Sequence, residues 1–223
     1  MITIVYYTVN TENHDFEDRI KLTLQKSSAN LPIISVSQQP IDFGDNICVG
    51  NVGRSSYNQW RQLQIGAQAA KTKYVALAES DFLYPKEHFQ LKPDKEDVFY
   101  APLKVFQLCV MKGRIQKFIL MHRRFREATS IVGRDYLLET LDSMLGEELW
   151  RPGIEAPSKM PRHLFMNKNV KLYHNAVPVV TFRTDAGMHQ HIHDDHPDGV
   201  DEIPFWGNAK DLINEYHNHI LHP

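Results

Sequence analysis

The residues best equipped for chemistry are Glu79, Ser80 and Asp81, which follow an apolar run at 74–77 and precede Pro85. Two carboxylates at i and i+2, leaving a strand, can meet a divalent cation directly or through water. Hard oxygen ligands with open positions suit Mg²⁺ or Mn²⁺ carrying a diphosphate. Ligands of open α/β sheets bind beyond the carboxyl ends of strands, and this motif occupies such a place. The same residues also suit a plain turn, with Asp81 capping a helix and Glu79 solvated.

Histidines form a second group. Seven of the 12 lie from position 189 onward, and His189, His191 and His193 are spaced by two. A strand would place those three on one face. Neutral imidazoles suit Mn²⁺ or Zn²⁺, so one of them with Asp81 would complete a mixed nitrogen and oxygen site. The alternative is an exposed polar loop. No cysteine pair or HExxH motif accompanies the cluster, which argues against a stand-alone zinc site.

A third feature is basic. Residues 100–134 carry Lys104, Lys112, Arg114, Lys117, Arg123, Arg124, Arg126 and Arg134 against Glu127 alone. That stretch is +7, while the chain as a whole is −2. The whole is therefore no polycation, but the stretch can contact phosphates. A solvated hairpin face explains the same charges.

The elements that must position these groups follow from periodicity and punctuation. The β-branched and aromatic run 2–8 predicts a buried first strand. Residues 14–27 predict an amphipathic helix, 32–37 a second strand and 47–49 a short third. A helix over 56–71, capped by Ser55 or Ser56, buries Trp60, Leu63, Ile65 and Ala67. The strand 74–77 delivers the acidic motif. Apolar runs 105–111 and 115–121 flank Lys112-Gly113 as a hairpin. A helix over 134–149 buries Leu137, Leu138, Leu141 and Leu145. Residues 151–163 read as loop, 170–173 and 177–182 as late strands, and 208–221 as a last helix.

Strand and helix alternate only in the first half. The expected fold is therefore α/β, a mixed Rossmann-like sheet flanked by helices, with an irregular α+β second half. One domain over 1–223 is expected, since no repeat or linker interrupts the chain. No run of 18 apolar residues exists, so no membrane-spanning helix is expected. The start lacks a basic leader, and the two cysteines form no disulfide framework. Both point to a reducing compartment, the cytoplasm (the host's, if the chain is viral).

The stretches ITIVYYT, GRSSYNQWRQLQIGAQAAKTKYVALAESDFLYP and EIPFWGNAKDLI together resemble glycosyltransferases of the GT-A fold. The central block also resembles the glycosyltransferases associated with TET/JBP enzymes, which act on hydroxymethylated bases in DNA. The first resemblance implies a nucleotide-sugar-binding half over 1–90 and an acceptor-binding half over 91–223. It implies a DxD-type motif, here Glu79-Ser80-Asp81 with its first carboxylate altered, holding Mn²⁺ or Mg²⁺ and a UDP-sugar. Asp81 becomes the metal ligand, with His189 or His191 as the later nitrogen ligand. Thr8 would sit near the nucleobase. Arg54, Asn58 and Arg61, with Glu79, would line the diphosphate and sugar pocket.

If configuration inverts, a carboxylate must deprotonate the acceptor. Glu148 is the candidate and Asp135 the reserve. The second resemblance implies a 5-hydroxymethylated pyrimidine acceptor, with the 100–134 stretch on phosphates and Phe106, Phe118 or Phe125 stacked on a base. Three other readings stay open: a glycan, lipid or protein acceptor; a non-catalytic metal- or nucleotide-binding module; and a zinc-dependent nucleic-acid protein built on the histidines.

Overall fold

A computed structural model describes residues 1–110, 116–121, 127–151, 153, 169–187 and 199–217. The strands are β1 (Ile2–Thr8), β2 (Ile33–Ser37), β3 (Asp45–Cys48), β4 (Tyr74–Glu79), β5 (Phe82–Leu83), β6 (Phe99–Pro102), β7 (Val105–Cys109), β8 (Phe118–Leu120), β9 (Ile131–Gly133), β10 (Val170–Tyr173), β11 (Val179–Arg183), β12 (Glu202–Ile203) and β13 (Gly207–Asn208). The helices are α1 (His14–Ser27), α2 (Ser56–Ala69), α3 (Lys86–Phe89), α4 (Arg134–Met144) and α5 (Ala209–Tyr216).

The main sheet has the order β10-β6-β9-β4-β1-β2-β3. Strands β1 to β4 run parallel, and β9 is inserted antiparallel between β4 and β6. A second sheet has the order β5-β11-β7-β8. This is the expected mixed α/β sheet flanked by helices, and β7 and β8 pair as the expected hairpin arms. No described helix is long and apolar enough to cross a membrane.

Every residue of β1 is buried. A parallel strand covered on both faces has no use for alternation, which is why its sequence is one apolar run. Helix α2 covers one face: Trp60, Leu63 and Ala67 pack with Val5, Val36 and Leu77. Each such side chain removed from water stabilises by about 1.5–3 kcal/mol. Gly66 permits the close seating, since a Cβ there would stand 2.4 Å from Val5 Cγ1. Helix α1 is capped by Asn13, whose side chain accepts from the amides of Asp15 and Phe16. Its Phe16 and Ile20 pack with Phe182 of the second sheet and Leu212 of α5.

Several expectations need correction. Strand β4 extends two residues past Leu77, because its backbone stays in register with Tyr6 and Tyr7 of β1; Glu79 is its last residue. Strand β3 lies two residues earlier than expected at its start. Helix α4 stops at Met144 and not at 149, because Leu145 turns extended at ψ 127° while its amide closes on Leu141 O. Glu148 therefore stands beyond the helix. Phe118 is fully buried core and offers no stacking face, while Phe106 is partly buried and packs edge-on against it; Phe125 lies outside the described residues.

Candidate functional site

The carboxyl ends of β1 and β4 meet at the rim of the sheet, where Tyr7 is in register with Glu79. A cleft of about 110 Å³ opens there. Its wall is made by Tyr7 and Thr8 of β1, Glu12 of the following loop, Arg54, Ser55, Gln59 and Gln62 at and inside the start of α2, the Glu79-Ser80-Asp81 turn, and Ala186 and Gly187 after β11. Thr8, Arg54, Glu79 and Asp81, four of the residues selected from the sequence, thus share one cavity.

Each side chain is held. Glu79 accepts hydrogen bonds from the Tyr7 hydroxyl and from Gln59 Nε2, the latter at 2.8 Å. The Tyr84 hydroxyl accepts from the Glu79 amide at 3.1 Å and donates to Ala128 O at 2.7 Å. Asp81 O accepts from the Phe182 amide at 2.8 Å, which ties the acidic turn to the second sheet. Arg54 donates from Nη1 to Ala186 O at 2.7 Å and from Nη2 to Gly187 O at 3.0 Å. Its cationic head is thereby fixed at the edge of an acidic cavity. Ser55 caps α2 by accepting from the Asn58 amide at 3.0 Å, so the helix begins with its amides toward the cleft.

Electrostatics mark the site. Burial, followed by the nearby charges of Glu79 and Glu12, pushes the Asp81 carboxyl well above the usual carboxylate range, against an opposing pull from Arg183. Burial also raises the Glu12 carboxyl, while a hydrogen bond from Thr184 Oγ1 at 2.7 Å and the charge of Arg54 lower it. Carboxylates crowded into a half-buried cavity repel one another, and a divalent cation relieves that repulsion. Among the described residues no three His, Cys, Asp or Glu side chains are grouped closely enough to hold a metal unaided. The donor set fits the other arrangement, in which one or two carboxylates share the cation with phosphate oxygens of the ligand.

The remaining candidates lie elsewhere. Asn58 is buried and spends its amide on local loops: Nδ2 donates to Val52 O and Gly53 O, and Oδ1 accepts from the Arg151 amide. Arg61 clamps the segment after α4, donating to Gly146 O, Glu148 O and Leu149 O and to Gln64. Neither lines the cleft. Glu148 is exposed and paired with Arg151. Asp135 is exposed, paired with Arg134, and follows Gly133, which is in register with Tyr74 at the opposite end of β4. Five strand residues at about 3.3 Å each separate that end from Glu79. His189 and His191 lie outside the described residues. Of the basic stretch, Lys117 just before β8 pairs with Asp201, and Arg134 at the start of α4 pairs with Asp135.

Sequence reasoning missed Glu12, Gln59 and Gln62. Glu12 sits in an irregular loop with no spacing to flag it. Gln59 and Gln62 do carry a signal: with Ser55 they recur at helical spacing, a polar line on a helix that must otherwise face the sheet.

No protein-family model matches the chain, and no curated protein sequence does. Among solved structures, residues 1–349 of S. aureus TarS, in complex with UDP-GlcNAc, superpose with a TM-score of 0.52 at 12% identity, over 87% of this chain and 60% of that one. The inositol-1-phosphate CTP transferase of T. maritima gives 0.48 at 10% identity, over 82% and 90%. The bifunctional IspDF of Campylobacter jejuni gives 0.44 at 10% identity, over 78% and 49%. The first of these likenesses shows a shared fold. The chain spans 60% of the TarS fragment's length.

Proposed function

We propose that the chain is a metal-dependent glycosyltransferase that moves a sugar from a UDP-sugar to a hydroxyl acceptor. The observation that carries this reading is the meeting of Asp81, Glu79, Thr8 and Arg54 in one cleft at the carboxyl edge of the sheet. It is supported by the fold shared with a TarS fragment whose structure holds UDP-GlcNAc.

Each residue has a proposed role. Asp81 holds Mn²⁺ or Mg²⁺ together with the diphosphate, and the cation offsets charge developing on the leaving group. His189 and His191, two and four residues beyond Gly187, are the proposed nitrogen ligands. Glu79 is turned aside by Tyr7 and Gln59, so it orients the turn and adds negative potential. Arg54 offers a fixed cation to phosphate oxygens. Thr8, whose hydroxyl accepts from the Asn10 amide, lines the donor pocket at the end of β1. The proposed acceptor is a 5-hydroxymethylated pyrimidine in DNA, with glycan and protein hydroxyls as the comparison.

The test is thermal stability with UDP, GDP and CDP, each with and without Mn²⁺, for the native chain and Asp81→Ala. Ligand at about 100 times its Kd stabilises by roughly 2.7 kcal/mol. A Mn²⁺-dependent shift with UDP, lost in the variant, is expected. Transfer from labelled UDP-sugars to hydroxymethylated DNA and to glycans then separates the acceptors. No shift with any nucleotide refutes the reading.

A further inference from the structure

Strand β11 reaches the rim beside the cleft and ends in Phe182 and Arg183. The Phe182 amide donates to Asp81 O, and the hydroxyl of Thr184, the next residue, donates to Glu12. Arg183 therefore stands between two residues that hold the acidic part of the cleft. Side chains alternate along a strand. Phe182 points into the core shared with α1 and α5, so Arg183 takes the opposite face, that of Val179, toward the main sheet. It is half-buried, and among the described residues it forms no ion pair, although three carboxylates line this rim.

The guanidinium makes one hydrogen bond, from Nε to Gln107 Oε1 at 3.3 Å. Its Nη1 and Nη2 have no partner among the described residues. Arg54 differs, since both of its terminal nitrogens are spent on carbonyls. Gln107, on β7, is 2% exposed, and its Nε2 has no hydrogen-bond partner among the described residues. A buried unpaired donor is costly, and an apolar side chain of similar shape would avoid that cost. What the glutamine does contribute is its bond to Arg183. That bond holds the guanidinium by its Nε edge and leaves the Nη1–Nη2 edge open. A parallel pair of N–H groups fits two oxygens of a phosphate.

Two kinds of phosphate approach this rim. The donor's diphosphate has Arg54 and a cation on Asp81 inside the cleft, and Arg183 is not in the cleft wall. An acceptor that carries phosphate meets repulsion from Glu12, Glu79 and Asp81, and a cation left unneutralised at the rim offsets it. We propose that Arg183 binds a phosphate of the acceptor, the one next to the hydroxyl that receives the sugar, and that Gln107 is the positioning residue that keeps the guanidinium open for it. This rests on the acceptor reading above, in which that phosphate is a phosphodiester of DNA, and it adds the residue that meets it.

The test measures the affinity of the full chain, with Mn²⁺ and UDP, for an oligonucleotide carrying a 5-hydroxymethylated pyrimidine. The linkages flanking that base are either phosphodiesters or uncharged methylphosphonates. Native protein is expected to bind the charged form about tenfold tighter, the effect of one lost pair of charge-assisted hydrogen bonds. Arg183→Gln should bind the two forms within about twofold of each other, while its Kd for UDP, by calorimetry, stays within about twofold of native. Gln107→Leu should lose most of the preference with the arginine still present, which a packing role in β7 would not cause. Native protein that binds both forms equally overturns the inference and leaves the donor site standing. So does an Arg183→Gln variant that keeps the preference. A tenfold loss of UDP affinity in that variant also overturns it, by assigning the arginine to the donor's diphosphate. If Gln107→Leu does not fold, Arg183→Gln decides alone. Binding of UDP without binding of either oligonucleotide overturns the DNA acceptor and this inference together, and no binding of UDP overturns the donor reading itself.

Discussion

Gly66→Ala tests whether α2 sits on the sheet as closely as described. The added Cβ would stand 2.4 Å from Val5 Cγ1 and 3.2 Å from Val36 Cγ2. Carbon atoms rest comfortably at about 3.5–4.0 Å, so the helix must retreat by about 1 Å. Neither valine can yield, since both are 0% exposed and β-branched. Overpacking of this kind costs about 1–3 kcal/mol. Alanine in place of a helical glycine returns about 1 kcal/mol. The expected net loss is about 1 kcal/mol, a fall in Tm of roughly 2–4 °C for a chain of this size. Retreat also draws Gln59 and Gln62 away from the cleft, so the UDP-dependent shift should shrink with it. The decisive comparison is the cycle with Val5→Ala. Because Val5→Ala opens the space the new methyl needs, the double variant should be more stable than the sum of the singles by about 1 kcal/mol. A Gly66→Ala protein with raised Tm, and a double variant that is simply additive, would refute the close seating.

Other consequences are direct. The Asp81 carboxyl is raised on folding, so the folded state binds the extra proton and metal-free stability falls as pH rises from about 4 through the raised value. Asp81→Asn should flatten that slope in chemical denaturation, and Mn²⁺ with UDP should raise the stability of the native protein at pH 8 but leave that of the variant unchanged. Arg61→Ala should lower Tm by several degrees, through three carbonyls left without their donor, while the Kd for UDP changes by less than about twofold. Glu148→Gln and Asp135→Asn should each keep transfer within about threefold of native, since both stand outside the cleft. His217, stacked at 4.2 Å on Phe16, is held neutral by burial, its pKa lowered to about 4. Its contribution is present above about 6.5 and is lost as pH falls toward 4, so His217→Phe should reduce acid sensitivity in that window.

Much of the first half was legible because its elements are local. An unbroken apolar run gave β1, a serine followed by a polar-apolar repeat gave α2, and both need little from the rest of the chain. The placement of Thr8, Arg54, Glu79 and Asp81 at one rim follows from a parallel sheet, whose strands all end on the same edge. What failed depends on distant partners. Strand β9 is three residues long and becomes a strand only because β4 and β6 leave a slot between them. Its reversed direction sends Asp135 to the far end of the sheet, which no spacing could reveal. Arg61 has the composition of a phosphate ligand, yet its acceptors lie about 85 residues away in sequence. Gln62 reads as an ordinary helix residue until the carbonyls of Thr8 and Val36 are brought beneath its amide.

The length of the acidic turn is fixed by its neighbours. Glu79 closes β4 and Phe82 opens β5, so only Ser80 and Asp81 lie between the two sheets along the chain. Phe82 and Leu83 are in register with Thr181 and Val180, and they point into different cores. One inserted residue would slide β5 by one step and exchange those two side chains between faces. The distance between the carboxylates is therefore enforced by the joint between the sheets, whatever the ligand. Substitution of the residues at positions 79 to 81 leaves that joint in place, whereas a change in their number does not.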